Sequence, residues 1–257
     1  MPERIISLTP SLTEILFTLG LGHRVVGVTD SCDYPTVVKD LPNVACWFEP
    51  DIEKLLALKP DLVLGLQTAH ERMKPELESQ GIRFIVVNPQ TVEEAITDMT
   101  RIGEILGAPD VSHDLESNLR ARLSAIDARA GIIGSETRQT VCRILDMDNG
   151  RFHVAGPLSF QYDIISRAGG QNVTCTEKEA YPKITLTHLR EWDPEVIFNC
   201  GFDLNATAGR ADKNAWQSLR AVQSGKVYTF DCALTCRTGP RIVNMVELLF
   251  ETLYSKK

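Results

Sequence analysis

The stretch SLTPSLTEILFTLGLGHRVVGVTDSCDYP, residues 7–35, reads as a strand, a capped helix and a second strand that stops on a Cys-Asp-Tyr-Pro turn. Leu12, Ile15, Leu16 and Leu19 recur at the i, i+3, i+4, i+7 spacing of one helix face. Thr9 or Ser11 offers a capping oxygen, with Pro10 or Glu14 in support, and Gly20 stands where the helix should end. Strands over 5–8 and 24–28 flank it. The alternation then continues, with a helix over 51–58, a strand over 61–64, a helix near 70–79, a strand over 83–87 and a helix over 91–106. Residues 1–108 therefore read as an N-terminal α/β lobe with a parallel sheet.

Residues 109–132 differ in character. Leu115, Leu119, Leu123 and Ile126 keep helical spacing in a run that is otherwise charged, too exposed for a core element and suited to a rod joining two lobes. The βα pattern is expected to restart at 140–145 and to run to an amphipathic helix over 241–254, giving a C-terminal lobe over 133–257. The halves echo each other. IEKLLALKPDLVLG (52–65) and LTHLREWDPEVIFNCG (186–201) align as helix, x-Pro-acid and buried strand, with Pro60 opposite Pro194 and Glu53 opposite Thr187. The expected fold class is α/β: two lobes of related topology joined by a single long helix, with strand C-termini and helix N-termini presented to a shared ligand cleft.

A chain of 257 residues with 43% apolar composition can bury a sizeable core. Its net charge of -7, without a basic run, excludes nucleic acid and an anionic membrane surface as partners. No run approaches a membrane span, and MPERIISLTP enters a strand without the marks of a leader, so the expected chain is either cytosolic or the mature form of an exported protein. The dinucleotide, P-loop, nucleophile-elbow and HExxH signatures are absent, and no enzyme is expected. The histidines (His23, His70, His113, His153, His188) lack ligand spacing and read as surface or structural residues. Tyr34, Trp47, Phe48, Phe152, Tyr181 and Trp216 fall at or near expected strand-to-helix turns. Each alone could pack under its own loop; together they suggest the walls of a site for a large, flat, partly apolar ligand. Among the cysteines, Cys142 and Cys200 sit in apolar strand-like runs and read as small buried side chains, whereas Cys32, Cys46, Cys175, Cys232 and Cys236 lie in loops.

RIISLTPSLTEILFTLGLGHRVVGVTDSCDYP, LPNVACWFEPDIEKLLALKPDLVLG, RAGGQNV, YPKITLTHLREWDPEVIF and RTGPRIV together resemble, in order and spacing, the cobalamin-binding substrate-binding proteins of ABC importers. Iron-siderophore and haem binders belong to the same wider class. The resemblance covers essentially the whole chain. It implies two Rossmann-like lobes on one rigid helix, a cleft that closes only slightly, no catalysis, no intrinsic cofactor, and a monomer that hands a corrinoid (cobalamin or cobinamide) to an ABC permease. The ligand contacts it implies are Cys32, Asp33, Tyr34, Trp47, Phe48, Phe152, Tyr181 and Arg237, with Trp47 against the corrin ring and Tyr181 on a second aromatic wall. Glu53 matches a glutamate that docks onto the permease. The chain departs from the family in carrying Thr187 at the second docking position, Ser31 where cobalamin binders have an aromatic residue, and a longer loop bearing Cys232 and Cys236. An iron-siderophore, haem or other metal-chelate carrier is the alternative, with Tyr34, His70 and His153 as candidate iron ligands.

By the same alignment Cys32, Cys46, Cys232 and Cys236 converge on the cleft. Three readings stand: disulfides Cys32–Cys46 and Cys232–Cys236, free thiolates that hold a soft metal or the metal centre of a chelate, or simple packing. The resemblance places the protein in the periplasm or on the cell surface as a lipoprotein, with a cytoplasmic sensor or enzyme domain as the other class of answer.

Overall fold

The computed structural model describes residues 1–46 and 49–255, with only the backbone of Cys46 and residues 209–211. The chain divides into two compact units, residues 1–89, 93–119 and 238–240 in the first and residues 90–92, 120–237 and 241–257 in the second.

The first unit is built on six strands: β1 (Ile5–Ser7), β2 (Val25–Thr29), β3 (Asn43–Cys46), β4 (Glu49–Pro50), β5 (Leu62–Leu66) and β6 (Arg83–Val87). They lie in the order β4-β3-β2-β1-β5-β6, parallel except for β4, which turns back antiparallel on β3. Its helices are α1 (Pro10–Thr18), α2 (Ile52–Ala57), α3 (Gln67–His70), α4 (Lys74–Ser79) and α5 (Val92–Ile105), followed by the long α6 (Pro109–Gly131). Thr9 is the cap of α1, its hydroxyl accepting from the amide of Leu12, and Gly20 leaves the helix at φ +75°, a conformation that favours glycine. Ile6, Leu8, Val44, Leu55, Val63, Met73, Leu77 and Ile82 fill one core of this unit, with alternate strand residues meeting the inner faces of α2 and α4. The helix expected near 70–79 is broken into α3, a 3-10 turn (Glu71–Met73) and α4, with Pro75 in the first turn of α4, where its missing N–H costs nothing.

The sixth helix spans 23 residues and buries a narrow stripe at Ser112, Leu119, Leu123, Ile126 and Ala130. Leu115, expected on that stripe, is only half-buried, and Ser112 takes the place one turn earlier, its hydroxyl bonded to the carbonyl of Pro109.

The second unit departs from the expected βα alternation. β7 (Thr140–Asp148) turns at Asn149-Gly150, both with positive φ, into the antiparallel β8 (Arg151–Val154), a hairpin in place of a crossover helix. β9 (Gln171–Asn172), β10 (Lys183–Thr185), β11 (Val196–Cys200) and β12 (Val227–Phe230) complete a sheet ordered β10-β8-β7-β11-β12, with β9 beside β7. The parallel part is β9, β7, β11 and β12. Its helices are α7 (Phe160–Arg167), α8 (Leu186–Trp192), α9 (Leu204–Ala211), α10 (Lys213–Gln217), α11 (Arg220–Gln223), α12 (Cys232–Thr235) and α13 (Ile242–Tyr254).

The internal echo is physical. Asp51 and Thr185 cap α2 and α8, accepting from the amides of Lys54 and His188, so Glu53 and Thr187 occupy the same second position of their helices. Each helix then exits through a left-handed residue ahead of a proline, Lys59 at φ +46° before Pro60 and Asp193 at φ +40° before Pro194. Proline disfavours the right-handed helical conformation in the residue before it, so an equivalent X-Pro step ends both helices and feeds both buried strands β5 and β11.

Candidate functional site

In the first unit, the Cys-Asp-Tyr-Pro turn leaves the carboxyl end of β2. Tyr34 is half exposed, at 52%, and Asp33 is exposed beside it. Cys32 faces the other way. It is 5% exposed, with its sulfur 3.1 Å from the Thr13 hydroxyl and 3.2 Å from that of Thr29, and Thr13 in turn donates to Ser7 at 2.8 Å. This knot of buried hydroxyls pins the turn to α1 and β1. Cys32 is a free thiol, which removes the Cys32–Cys46 disulfide, and among the described residues it does not join the group of cysteines whose sulfurs come together. The side chain of Cys46, and Trp47 and Phe48 entirely, lie outside the described residues. Glu53 is an exposed acid in the first turn of α2, where the helix N-terminus favours negative charge. His70, a candidate iron ligand, is fully buried, and its Nδ1 accepts from the Leu66 amide at 3.0 Å. Burial, with Arg72 nearby, lowers its pKa to about 4, so the ring is a neutral structural group closing the exit of β5.

In the second unit, two of the expected wall residues are core. Phe152 and Trp216 are each fully buried and stacked on one another, with ring centroids 6.2 Å apart, and the Trp216 indole N–H is satisfied by Asn205 at 3.0 Å. The hairpin explains the correction for Phe152: it turns the side chain that a βα loop would have exposed onto the inner face of the sheet. His153, the other histidine considered, sits half-buried on β8, 3.9 Å from Asp146. Tyr181 does reach solvent, at 43% exposure, its hydroxyl donating to Gln161 at 3.2 Å. Arg237 follows the thiol turn and is half-buried.

The concentrated chemistry of this unit lies at the carboxyl ends of β7, β11 and β12, where open α/β sheets bind ligands. Cys200 ends β11. Cys232 and Cys236 flank α12, one helical turn apart, so both thiols share a face. The three sulfurs lie within 4.8 Å of one another, with Cys200 and Cys236 at 3.2 Å, and all three are free. The pairing of Cys232 with Cys236 is therefore not formed, and the partner both have is Cys200, which the strand pattern had marked as mere core. Gly201 makes room for it: a side chain there would approach the Cys232 sulfur to 2.9 Å, and its φ of +77° favours glycine as well.

Beneath the sulfurs lies Arg143 of β7, fully buried. Its Nη2 donates to Cys200 at 3.1 Å and Cys236 at 3.5 Å, its Nη1 donates to the Ile144 carbonyl, and its guanidinium stands 5.5 Å from the centre of the Phe198 ring. No carboxylate pairs with it among the described residues. A buried guanidinium requires a counter-charge, and among the described residues the groups it meets that can carry one are the sulfurs of Cys200 and Cys236. The hydrogen bond shared with Cys236 and the adjacent Arg143 both hold Cys200 well below the ordinary thiol range, while Cys236 is driven up by the same shared hydrogen bond and by burial. Cys142, on the same strand as Arg143, is an inert core thiol pushed up to about 12 by burial.

No helix among the described residues is long and apolar enough to cross a membrane. An ABC transporter substrate-binding lipoprotein of Bacillus subtilis, YvrC, is 30% identical over 98% of this chain and 80% of its own length. The crystal structure of the periplasmic vitamin B12 binding protein BtuF of Vibrio cholerae superposes with a TM-score of 0.83 at 27% identity, covering 98% of this chain and 96% of that one. A periplasmic heme binding protein of Pseudomonas aeruginosa gives a TM-score of 0.87 at 25% identity, covering 100% and 95%. The periplasmic binding protein family matches residues 5–234. With that match over most of its length and the two-lobed α/β fold of these structures, the chain belongs to the periplasmic binding protein family, as a substrate-binding protein of the ABC-transporter kind.

Proposed function

We propose that the protein captures a corrinoid, cobalamin or cobinamide, and delivers it to an ABC permease from the periplasm or the cell surface. The observation that carries this reading is the 27% identity to the vitamin B12 binding protein of Vibrio cholerae across nearly the whole of both chains. Two residues support it. Tyr34 and Tyr181, one in each unit, present ring surface to solvent on loops that the sequence assigns to ligand contact, and an exposed aromatic face is suited to a flat macrocycle. Glu53, held exposed at the start of α2, is the residue offered to the permease.

Haem is the second reading, favoured by the 0.87 TM-score of the Pseudomonas aeruginosa heme binder. Of the candidate iron ligands, His70 is sealed in the core, which leaves the exposed Tyr34 and the half-buried His153. Calorimetric titration of the reduced protein with cobalamin, cobinamide and haemin separates the two. Saturable heat with a corrinoid and none with haemin is the expected result; tight haemin binding with no corrinoid heat overturns the proposal and leaves the fold assignment standing.

A further inference from the structure

We propose that Cys200, Cys232 and Cys236 form a three-sulfur site for a free thiophilic divalent cation of the Zn2+ or Cd2+ class, with Arg143 as its buried base. The site lies within the second unit alone and does not depend on which large ligand the protein carries.

Geometry comes first. Three thiolates around a tetrahedral ion with bonds of about 2.3 Å stand roughly 3.8 Å apart. The sulfurs here span separations from 3.2 Å to under 4.8 Å, bracketing that value, so small rotamer changes suffice to close them on an ion. Cys200 forms the buried floor, while Cys232 and Cys236 are exposed on the solvent side, leaving an entry path and an open fourth position. Charge agrees. Three thiolates and one guanidinium leave a net charge of minus two, which a divalent ion cancels, so that the buried Arg143 and Cys200 lie in a group whose charges balance. Thiolate donors select soft ions over the oxygen-seeking Mg2+ and Ca2+.

The alternatives fit less well. A Cys200–Cys236 disulfide would tie up both sulfurs that Arg143 Nη2 donates to and leave a fully buried guanidinium facing uncharged sulfur. The metal centre of a macrocyclic chelate offers axial positions only and cannot accept three sulfurs from one side, so the donor set suits a free ion.

The test uses the full-length chain, reduced and desalted, titrated with CdCl2 and followed by the ultraviolet thiolate-to-cadmium charge-transfer band and by calorimetry. One equivalent taken up with the band is expected, with excess Mg2+ failing to displace it. Cys232→Ser and Cys236→Ser, both on the exposed turn, should lose the band and the stoichiometric phase with circular dichroism unchanged, and Cys175→Ser should keep both. Cys200→Ser should behave as the other two if it folds. Absence of stoichiometric uptake by the reduced protein overturns the proposal, as does uptake unchanged in Cys232→Ser and Cys236→Ser or lost equally in Cys175→Ser.

Discussion

Acidification should destabilise the protein through one buried ring. His70 is fully enclosed and holds the Leu66 amide through an unprotonated Nδ1, so protonation forfeits that hydrogen bond and places a charge in the core. Its pKa of about 4 in the fold lies below the ordinary value of 6.5. The unfolded chain therefore takes up the proton first. The stability this group contributes is complete above pH 6.5 and drains away as pH falls through about 4. At about 1.4 kcal/mol per pKa unit, the shift sets a ceiling of about 3 kcal/mol, and because the loss is not complete at pH 4.5 the working figure there is about 2 kcal/mol. Urea unfolding at pH 7.5 and pH 4.5 measures it, with His70→Asn as reference, because the asparagine oxygen can accept from the Leu66 amide and does not titrate. Wild type should lose about 2 kcal/mol more than His70→Asn between the two pH values, carboxylate titration being common to both. Parallel profiles for the two proteins would refute the reasoning.

Phe152→Ala should cost about 3–5 kcal/mol in chemical denaturation, since it empties a fully buried site stacked on Trp216, and should not act on ligand affinity in any other way. Tyr34→Ala and Tyr181→Ala should each weaken corrinoid binding roughly tenfold, about 1.4 kcal/mol by calorimetry, with little change in stability because both rings are substantially exposed. Glu53→Ala should leave ligand affinity unchanged and reduce uptake in a reconstituted transporter; equal loss of both would contradict a docking role.

The first unit was legible because its signals are local. Leu12, Ile15, Leu16 and Leu19 sit within three turns of their cap and repeat the spacing without interruption. The second unit hid a hairpin although its mark was present: Asn149-Gly150, which falls inside the expected run of βα alternation, is the dipeptide that a two-residue turn with two positive φ values selects. Missing it misplaced Phe152 on a wall. The thiol group was half-legible. Cys232 and Cys236 announce themselves by being one helical turn apart, but Cys200 is 36 residues from Cys236 and Arg143 is 57 from Cys200, and their meeting depends on β7, β11 and β12 being neighbours. A buried arginine in a strand of apolar residues, CRIL at 142–145, was the available clue, since such a residue must find an anion from elsewhere in the chain.

Helix α6 has one more implication. Its residues up to Leu119 cluster with the first unit and those from Arg120 with the second, and no glycine or proline interrupts it between Asp110 and Ala130. At 1.5 Å per residue it runs roughly 34 Å as a single hydrogen-bonded ladder. The boundary between the units therefore falls inside a helix. Anyone wishing to express one lobe by itself has no linker to cut there: truncation at the boundary exposes the amides or carbonyls of several residues at a raw helix end and strips half of the Ser112-to-Ala130 stripe of its continuation. The practical unit of engineering is the whole chain, and grafts or tags belong at exposed loops such as Asn149-Gly150.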